Sequence, residues 1–233
     1  NCVEYKRWYD RNSFVHPDLI KDYSQIPFLP SSVFKYINLF SINKQVKLVK
    51  SSGTTSQIKS NIFIDRKTSF NQRKSLAKIL SSALGKQRKT FFVIDVKPTS
   101  SILAENSMSA RFAGMSGYLL AAKSVTYLLK QNDLGNLEVD FTALASLNEQ
   151  ANRDSIIIIG YTYMLWKYLL NNSAIKFEKI SLDKDSKIIH FGGWKKLRDE
   201  HVNKKQLIQI IGKKLNLEKD SVFDIYGFTE QLG

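Results

Sequence analysis

Cysteine occurs once, at Cys2, histidine three times and proline four times in 233 residues. A single cysteine excludes an intramolecular disulfide framework and a multi-cysteine zinc site. The scattered histidines add no cluster with the usual spacing of metal ligands. Long apolar runs are missing too. The most apolar stretch, Ile156 to Leu170, is short for a bilayer span and contains Lys167. The first residues carry Glu4, Lys6 and Arg7 with no apolar segment behind them, which does not describe a signal peptide. A soluble cytoplasmic protein is the resulting expectation. Acidic residues are also scarce: 21 Asp+Glu stand against 35 Lys+Arg, for a formal net charge of +14. That balance calls for an anionic partner, whether nucleic acid, nucleotide, membrane surface or acidic protein.

What is present argues for a folded core. The chain is 43% hydrophobic and 12% aromatic, which excludes a disordered polymer despite the charge excess. Short β-branched runs alternate with helical patterns. Strands are expected at Gln45 to Lys50, Asn61 to Ile64, Phe91 to Val96, Val125 to Leu129, Leu137 to Phe141, Ile156 to Ile159, Ile175 to Leu182, Lys187 to Phe191 and Val222 to Ile225. The unbroken apolar run at Phe91 suits a strand covered on both faces. A helix follows the second strand, capped by Asp65 or Thr68. Its apolar positions are Phe70, Leu76, Ile79, Leu80, Ala83 and Leu84, and Gly85 stands at its end. Further helices are expected at Met108 to Ala122, at Thr142 to Ala151, after a glycine turn at Gly160, and after the cap Asn203. The alternation predicts an α/β fold with mostly parallel sheets flanked by helices, in one domain over residues 1–233.

Three polar loops each follow an expected strand. Ser51-Ser52-Gly53-Thr54-Thr55-Ser56 offers backbone N–H groups and hydroxyls that can wrap phosphates, with Lys59 nearby as a point charge. Its spacing is not that of a Walker A loop, and an ordinary solvated turn is the plainer reading. Gly192-Gly193 precedes Trp194 and lets backbone approach a flat ligand, or simply makes a tight turn. His190, just before it, reads first as a hydrogen-bonded structural histidine. Tyr226-Gly227-Phe228-Thr229-Glu230 brings a ring for stacking, a hydroxyl and a carboxylate suited to Mg²⁺.

Taken in order, these loops resemble the motifs of adenylate-forming enzymes, the acyl-CoA synthetase and luciferase superfamily. The finer wording is similar to the acyl-protein synthetase (LuxE-type) family. It includes Ile26-Pro27-Phe28-Leu29-Pro30 with Phe34-Lys35, Lys50 to Thr55, Phe191-Gly192-Gly193-Trp194-Lys195-Lys196, and Tyr226 to Glu230. The resemblance implies the large N-terminal core of such an enzyme. It further implies ATP-dependent activation of a carboxylic acid, typically a fatty acid, to an acyl-adenylate. Transfer to a protein thiol would follow, with a reductase subunit as a further acceptor, or coenzyme A in the related phenylacetate-type ligases. Carried over by position, Ser51, Ser52, Gly53, Thr54, Thr55 and Lys59 would hold phosphates. Gly192, Gly193 and Tyr226 would hold adenine, Thr229 would reach the α-phosphate, and Glu230 would bind Mg²⁺.

This chain departs from the superfamily in having Ser56 where Gly is usual and Ile58 where Pro is frequent. The sequence stops at Gly233, directly after the last motif. The resemblance therefore leads us to expect a ribose-binding aspartate, a catalytic lysine and the acyl-accepting cysteine beyond it, and does not favour Cys2 as acceptor. The competing expectations are a basic nucleic-acid-binding module and a scaffold that has lost catalysis. Against the first, the basic residues are spread in pairs such as Lys204-Lys205 and Lys213-Lys214, without a recognisable nucleic-acid motif.

Overall fold

The computed structural model describes residues 2–12, 14–41, 46–50, 58–98, 115–177, 180–192, 200 and 202–226. They fall into two compact units, one of the residues up to Ser75 and one of those from Leu76 onward.

In unit 1, helix α1 (Val3–Arg11) turns its aromatic residues toward the chain that follows. Trp8 and Tyr9 lie 4.9 and 5.4 Å from the Phe14 ring, and the Tyr9 hydroxyl donates to the Val15 carbonyl. Strands β1 (Val46–Lys50) and β2 (Asn61–Asp65) pair antiparallel, with Lys50 opposite Asn61. Of the polar segment between them, residues 51–57 lie outside the described ones. Helix α2 (Arg66–Leu84) begins where Asp65 Oδ1 accepts the Thr68 amide at 2.7 Å. Asp65 is thus the cap, and Thr68 lies inside the first turn. Residues of α2 from Leu76 onward belong to unit 2, where Leu80 and Leu84 are buried. Phe70 and Ile79, expected on the apolar face, are exposed instead. Gly85 ends the helix at φ +85°, as the sequence predicts.

Unit 2 is built on a six-stranded sheet in the order β5-β4-β3-β6-β7-β8. Its strands are β3 (Lys89–Val96), β4 (Ala122–Gln131), β5 (Leu137–Val139), β6 (Ile156–Tyr161), β7 (Lys187–Phe191) and β8 (Val222–Ile225). All neighbours run parallel except β4 and β5, which form a hairpin. The Asn132 side chain closes that hairpin by accepting from the Leu134 and Asn136 amides at 3.1 and 2.9 Å. The α/β fold with a mostly parallel sheet is therefore what the chain adopts.

Side-chain alternation divides the core into two layers. On one face Phe92, Ile94, Ile156, Ile158 and Ile188 pack against α3 (Phe141–Ala151), α4 and α5 (Lys204–Leu215). Helix α4 starts as Thr162–Met164 and continues as a π-helical turn, Leu165–Leu170. On the other face Phe91, Val93, Ile157, Ile159 and Ile189 pack against the end of α2, Met115 and Tyr118. Ile156, Ile157, Ile158 and Ile159 are wholly buried, which explains a run with no polar alternation.

Several expectations need correction. Gly160 is not a turn but part of β6, where a Cβ would come within 2.9 Å of the Ile94 Cβ. The expected helix does not reach Ala122, which opens β4, while residues 108–114 lie outside the described ones. Phe141 starts α3 rather than ending a strand, because Asp140 caps the helix. Ile175 to Leu182 is not a strand among its described residues. Ile175, Ile180 and Leu182 are buried, but their amides bond to Asn172, Phe177 and Leu215 carbonyls instead of a ladder. Burial alone gave that segment a strand-like composition. Among the described residues no helix is long and apolar enough to cross a membrane.

Asp140 Oδ1 accepts the Thr142 and Ala143 amides at 2.9 and 3.2 Å, so it holds the start of a helix whose inner face is core. Asp140→Ala should lower unfolding stability by about 1 kcal/mol, and Asp140→Asn by less, in urea titrations. Equal stability of the alanine variant and the wild type would show that the cap contributes nothing.

Candidate functional site

The strand order reverses direction between β3 and β6. From β3 the chain moves outward to β4 and β5; from β6 it moves the other way to β7 and β8. In open α/β sheets, ligands bind outside the carboxyl ends of the strands, at such a reversal. The residues at this edge are Asp95 on β3, Tyr161 at the end of β6 with Thr162 just after it, His190 to Gly192 at β7, and Asp224 to Tyr226 at β8.

On the α5 face the edge carries a polar row. His190 pairs in register with Gly160 on one side and Asp224 on the other. It is fully buried, and its Nδ1 lies 2.9 Å from Thr162 Oγ1 and 3.7 Å from Asp224 Oδ1. Lys204, the first residue of α5, places its ammonium 2.8 Å from Asp224 Oδ2. Thr162 Oγ1 also lies 3.3 Å from the Phe191 carbonyl and 3.4 Å from that of Gly192. One side chain thus reaches both the buried imidazole and the turn that follows β7. The reading of His190 as a hydrogen-bonded histidine agrees with this geometry.

On the opposite face the same turn rests on aromatic rings. Gly192 has φ +96°, and a Cβ there would come within 2.7 Å of Tyr161 Cδ1. Both facts require glycine at 192. The Tyr161 ring meets Phe191 edge-on at 4.8 Å, and Tyr118 stacks on Phe191 at 5.7 Å. Burial pushes the Tyr118 phenol up. Nearby in the sheet, Asp95 is buried and accepts the Val96 amide at 2.9 Å. Burial, then the Asp95 charge, push the Tyr127 phenol up.

The expected site residues divide among these features. Gly192 and Tyr226 leave the carboxyl ends of neighbouring parallel strands, since Phe191 pairs with Ile225. Tyr226 is 85% exposed, so its side chain is not part of the core. Lys59 is exposed in unit 1, ahead of β2. Ser51, Ser52, Gly53, Thr54, Thr55, Gly193, Thr229 and Glu230 lie outside the described residues. Cys2 lines a cavity of about 370 Å³ within unit 1, beside Tyr5, Phe34, Phe40 and Phe63. Among the described residues no group of three metal-ligating side chains gathers. Sequence reasoning did not single out Thr162, Asp224 or Lys204 as partners of His190. A faint signal exists. His190 and Asp224 each occupy the last inward position of a strand, where Ile188 and Val222 are the apolar predecessors.

Burial holds the His190 imidazole below its ordinary value; the Asp224 carboxylate pulls it back up and the Lys204 ammonium pushes it down. The unfolded chain therefore takes up a proton near pH 6.5 that folded His190 refuses. Stability contributed by neutral His190 is present above about pH 6.5 and is lost as pH falls below it. Between pH 7.5 and 5.5 the wild type should lose more stability than His190→Asn, measured by urea midpoints. Parallel losses in the two proteins would refute a buried neutral imidazole.

Comparison with known proteins adds the context of a family. No curated protein matches the chain. A structural match is the ATP-bound MatB from Rhodopseudomonas palustris, at 15% identity and a TM-score of 0.44. The match covers 78% of this chain but only 29% of that one. The family model described as "Acyl-protein synthetase, LuxE" matches residues 1–233, the whole sequence. The chain belongs to the LuxE acyl-protein synthetase family.

Proposed function

We propose that the protein takes part in ATP-dependent activation of a carboxylic acid, a fatty acid being the favoured substrate, and in transfer of the acyl group to a protein thiol. The whole-chain family match carries this reading. It is supported by the placement of the Gly192 turn and the exposed Tyr226 ring at the carboxyl ends of adjacent parallel strands. A purine lying between a glycine backbone and a tyrosine ring needs those two parts side by side.

In the activation step, an acid oxygen attacks the α-phosphorus of ATP. The bond from that phosphorus to the bridging oxygen breaks, and pyrophosphate leaves. In the transfer step, a thiolate attacks the acyl carbon and AMP leaves. Negative charge accumulates on the α-phosphate and on the departing pyrophosphate, so fixed donors there lower the barrier. Ser51, Ser52, Gly53, Thr54 and Thr55 supply backbone N–H groups and hydroxyls for the β- and γ-phosphates, with Lys59 adding charge. Ser51 to Thr55 directly follow β1 in sequence, and successive backbone amides of a polar segment can wrap a single anion. Gly192, Gly193 and Tyr226 hold the adenine, and Thr229 donates to the α-phosphate.

Glu230 is the residue we assign to Mg²⁺. Magnesium usually takes one or two protein carboxylates together with phosphate oxygens, so a single glutamate in a triphosphate site fits its chemistry without a preformed cage. When bound, the ion neutralises phosphate charge. We place the protein in the cytoplasm on the same reading.

The protein should exchange labelled pyrophosphate into ATP only when a carboxylic acid is added. Glu230→Ala should lower that exchange by about 100-fold or more, the scale of losing one electrostatic stabiliser. Absence of acid-dependent exchange in the wild type would overturn the activation step. Undiminished Mg²⁺-dependent exchange in the variant would remove Glu230 from it. Acyl label recovered on protein supports the protein-thiol acceptor, whereas label on coenzyme A would replace it with the phenylacetate-ligase type of transfer.

A further inference from the structure

The hydroxyl of Thr162 has one proton and three neighbours able to accept it. They are His190 Nδ1 at 2.9 Å, the Phe191 carbonyl at 3.3 Å and the Gly192 carbonyl at 3.4 Å. Which one receives it depends on the imidazole. If the ring hydrogen is on Nε2, Nδ1 is an acceptor and takes the Thr162 proton. If it is on Nδ1, the ring donates to Thr162 Oγ1, and the hydroxyl proton turns toward the carbonyls of the turn. The two tautomers therefore leave the Gly192 turn either tied to Thr162 or released from it.

We propose that His190 is a positioning residue: as the Nδ1–H tautomer, it turns the Thr162 hydroxyl onto the Phe191 and Gly192 carbonyls and so fixes the glycine turn that receives the nucleotide. This rests on the reading of Gly192 and Gly193 as the adenine turn. The surroundings favour that tautomer. Asp224 Oδ1 lies 3.7 Å from the same Nδ1, and a carboxylate beside a ring nitrogen favours the hydrogen there. Lys204, 2.8 Å from the other carboxylate oxygen, holds the Asp224 side chain in place beside the ring. The turn has a use for such a tether. Gly192 occupies a backbone region open to glycine alone, and glycine is the residue freest to leave it. With Tyr161 against its Cα, the turn is supported on one side by a ring and on the other by the Thr162 hydroxyl.

The chain has three histidines, so ¹⁵N-histidine labelling gives three ring spin systems, and His190→Asn assigns the one that disappears. Protonated Nδ1 in His190 is the expected result; protonated Nε2 in the neutral ring overturns the inference. Side-chain replacement reads the same question through function. Asparagine places an amide donor near the Nδ1 position, whereas glutamine places it near Nε2. In acid-dependent pyrophosphate exchange, His190→Asn should keep the KM for ATP within about twofold of wild type. His190→Gln and Thr162→Val should raise it about three- to tenfold, the scale of one lost hydrogen bond, with a smaller change in kcat. Thr162→Ser should restore it. Equal behaviour of the asparagine and glutamine variants, or no rescue by serine, overturns the inference. A wild type without acid-dependent exchange would instead refute the proposed activity, and the tautomer measured by NMR would then decide the positioning role alone.

Discussion

The buried ladder of β3, β6 and β7 is the constraint on which unit 2 depends. Phe91 to Ile94, Ile156 to Ile159, and Ile188 with Ile189 all lie in the core, with helices or an aromatic layer over both faces. Each fully buried side chain of this size contributes about 1.5–3 kcal/mol of transfer free energy, which offsets the entropy of ordering long parallel crossovers. The cost falls on polar groups. None can sit in the middle of this ladder without a partner, so chemistry is displaced to the strand ends. Parallel pairing then puts the carboxyl ends of β3, β6, β7 and β8 along one edge.

That geometry explains how motifs far apart in sequence become neighbours. The turn at Gly192 and the ring of Tyr226 are separated by helix α5, yet they leave adjacent strands. Helix α5 is held by Leu207, Ile211 and Leu215 in the core and by the Asn203–Gln206 capping box at its start. Its last turn is anchored as well, since Lys214 donates to the Leu170 carbonyl at 2.8 Å. The crossover that separates the two loops in sequence therefore fixes their spacing in the sheet.

Much of this was legible because the core strands announce themselves by composition. Val222 to Ile225 and Lys187 to Phe191 were readable to the residue, and Asn203 declared itself as a cap. What failed was local ambiguity. Ile175 to Leu182 is apolar because it is buried, not because it is paired. Phe70 and Ile79 fit a helical period but are exposed, whereas Leu80 and Leu84 of the same helix are buried. The loops of the candidate site were legible as motifs in order, through the family likeness. The polar row behind them was not. Thr162, His190, Asp224 and Lys204 come from four elements, and no sequence period links residues that meet only across a sheet.

The Gly192 turn is where the two layers of the molecule meet, and this sets what core substitutions would do to the site. From the α5 face it is reached by Thr162, whose partner His190 answers to Asp224 and Lys204. From the α2 face it leans on Tyr161, whose ring is set by Phe191 and, through it, by Tyr118. Close-packed layers transmit small displacements rather than absorbing them. A change in either layer therefore reaches the same backbone turn, by a hydrogen bond on one side and by ring contact on the other. The two routes differ in kind. Ring contact excludes conformations by bulk and tolerates a shift of a few tenths of an ångström, whereas the hydroxyl must also point at its acceptor. The direction of the turn's carbonyls is accordingly governed from the polar face, and its distance from the sheet from the aromatic one.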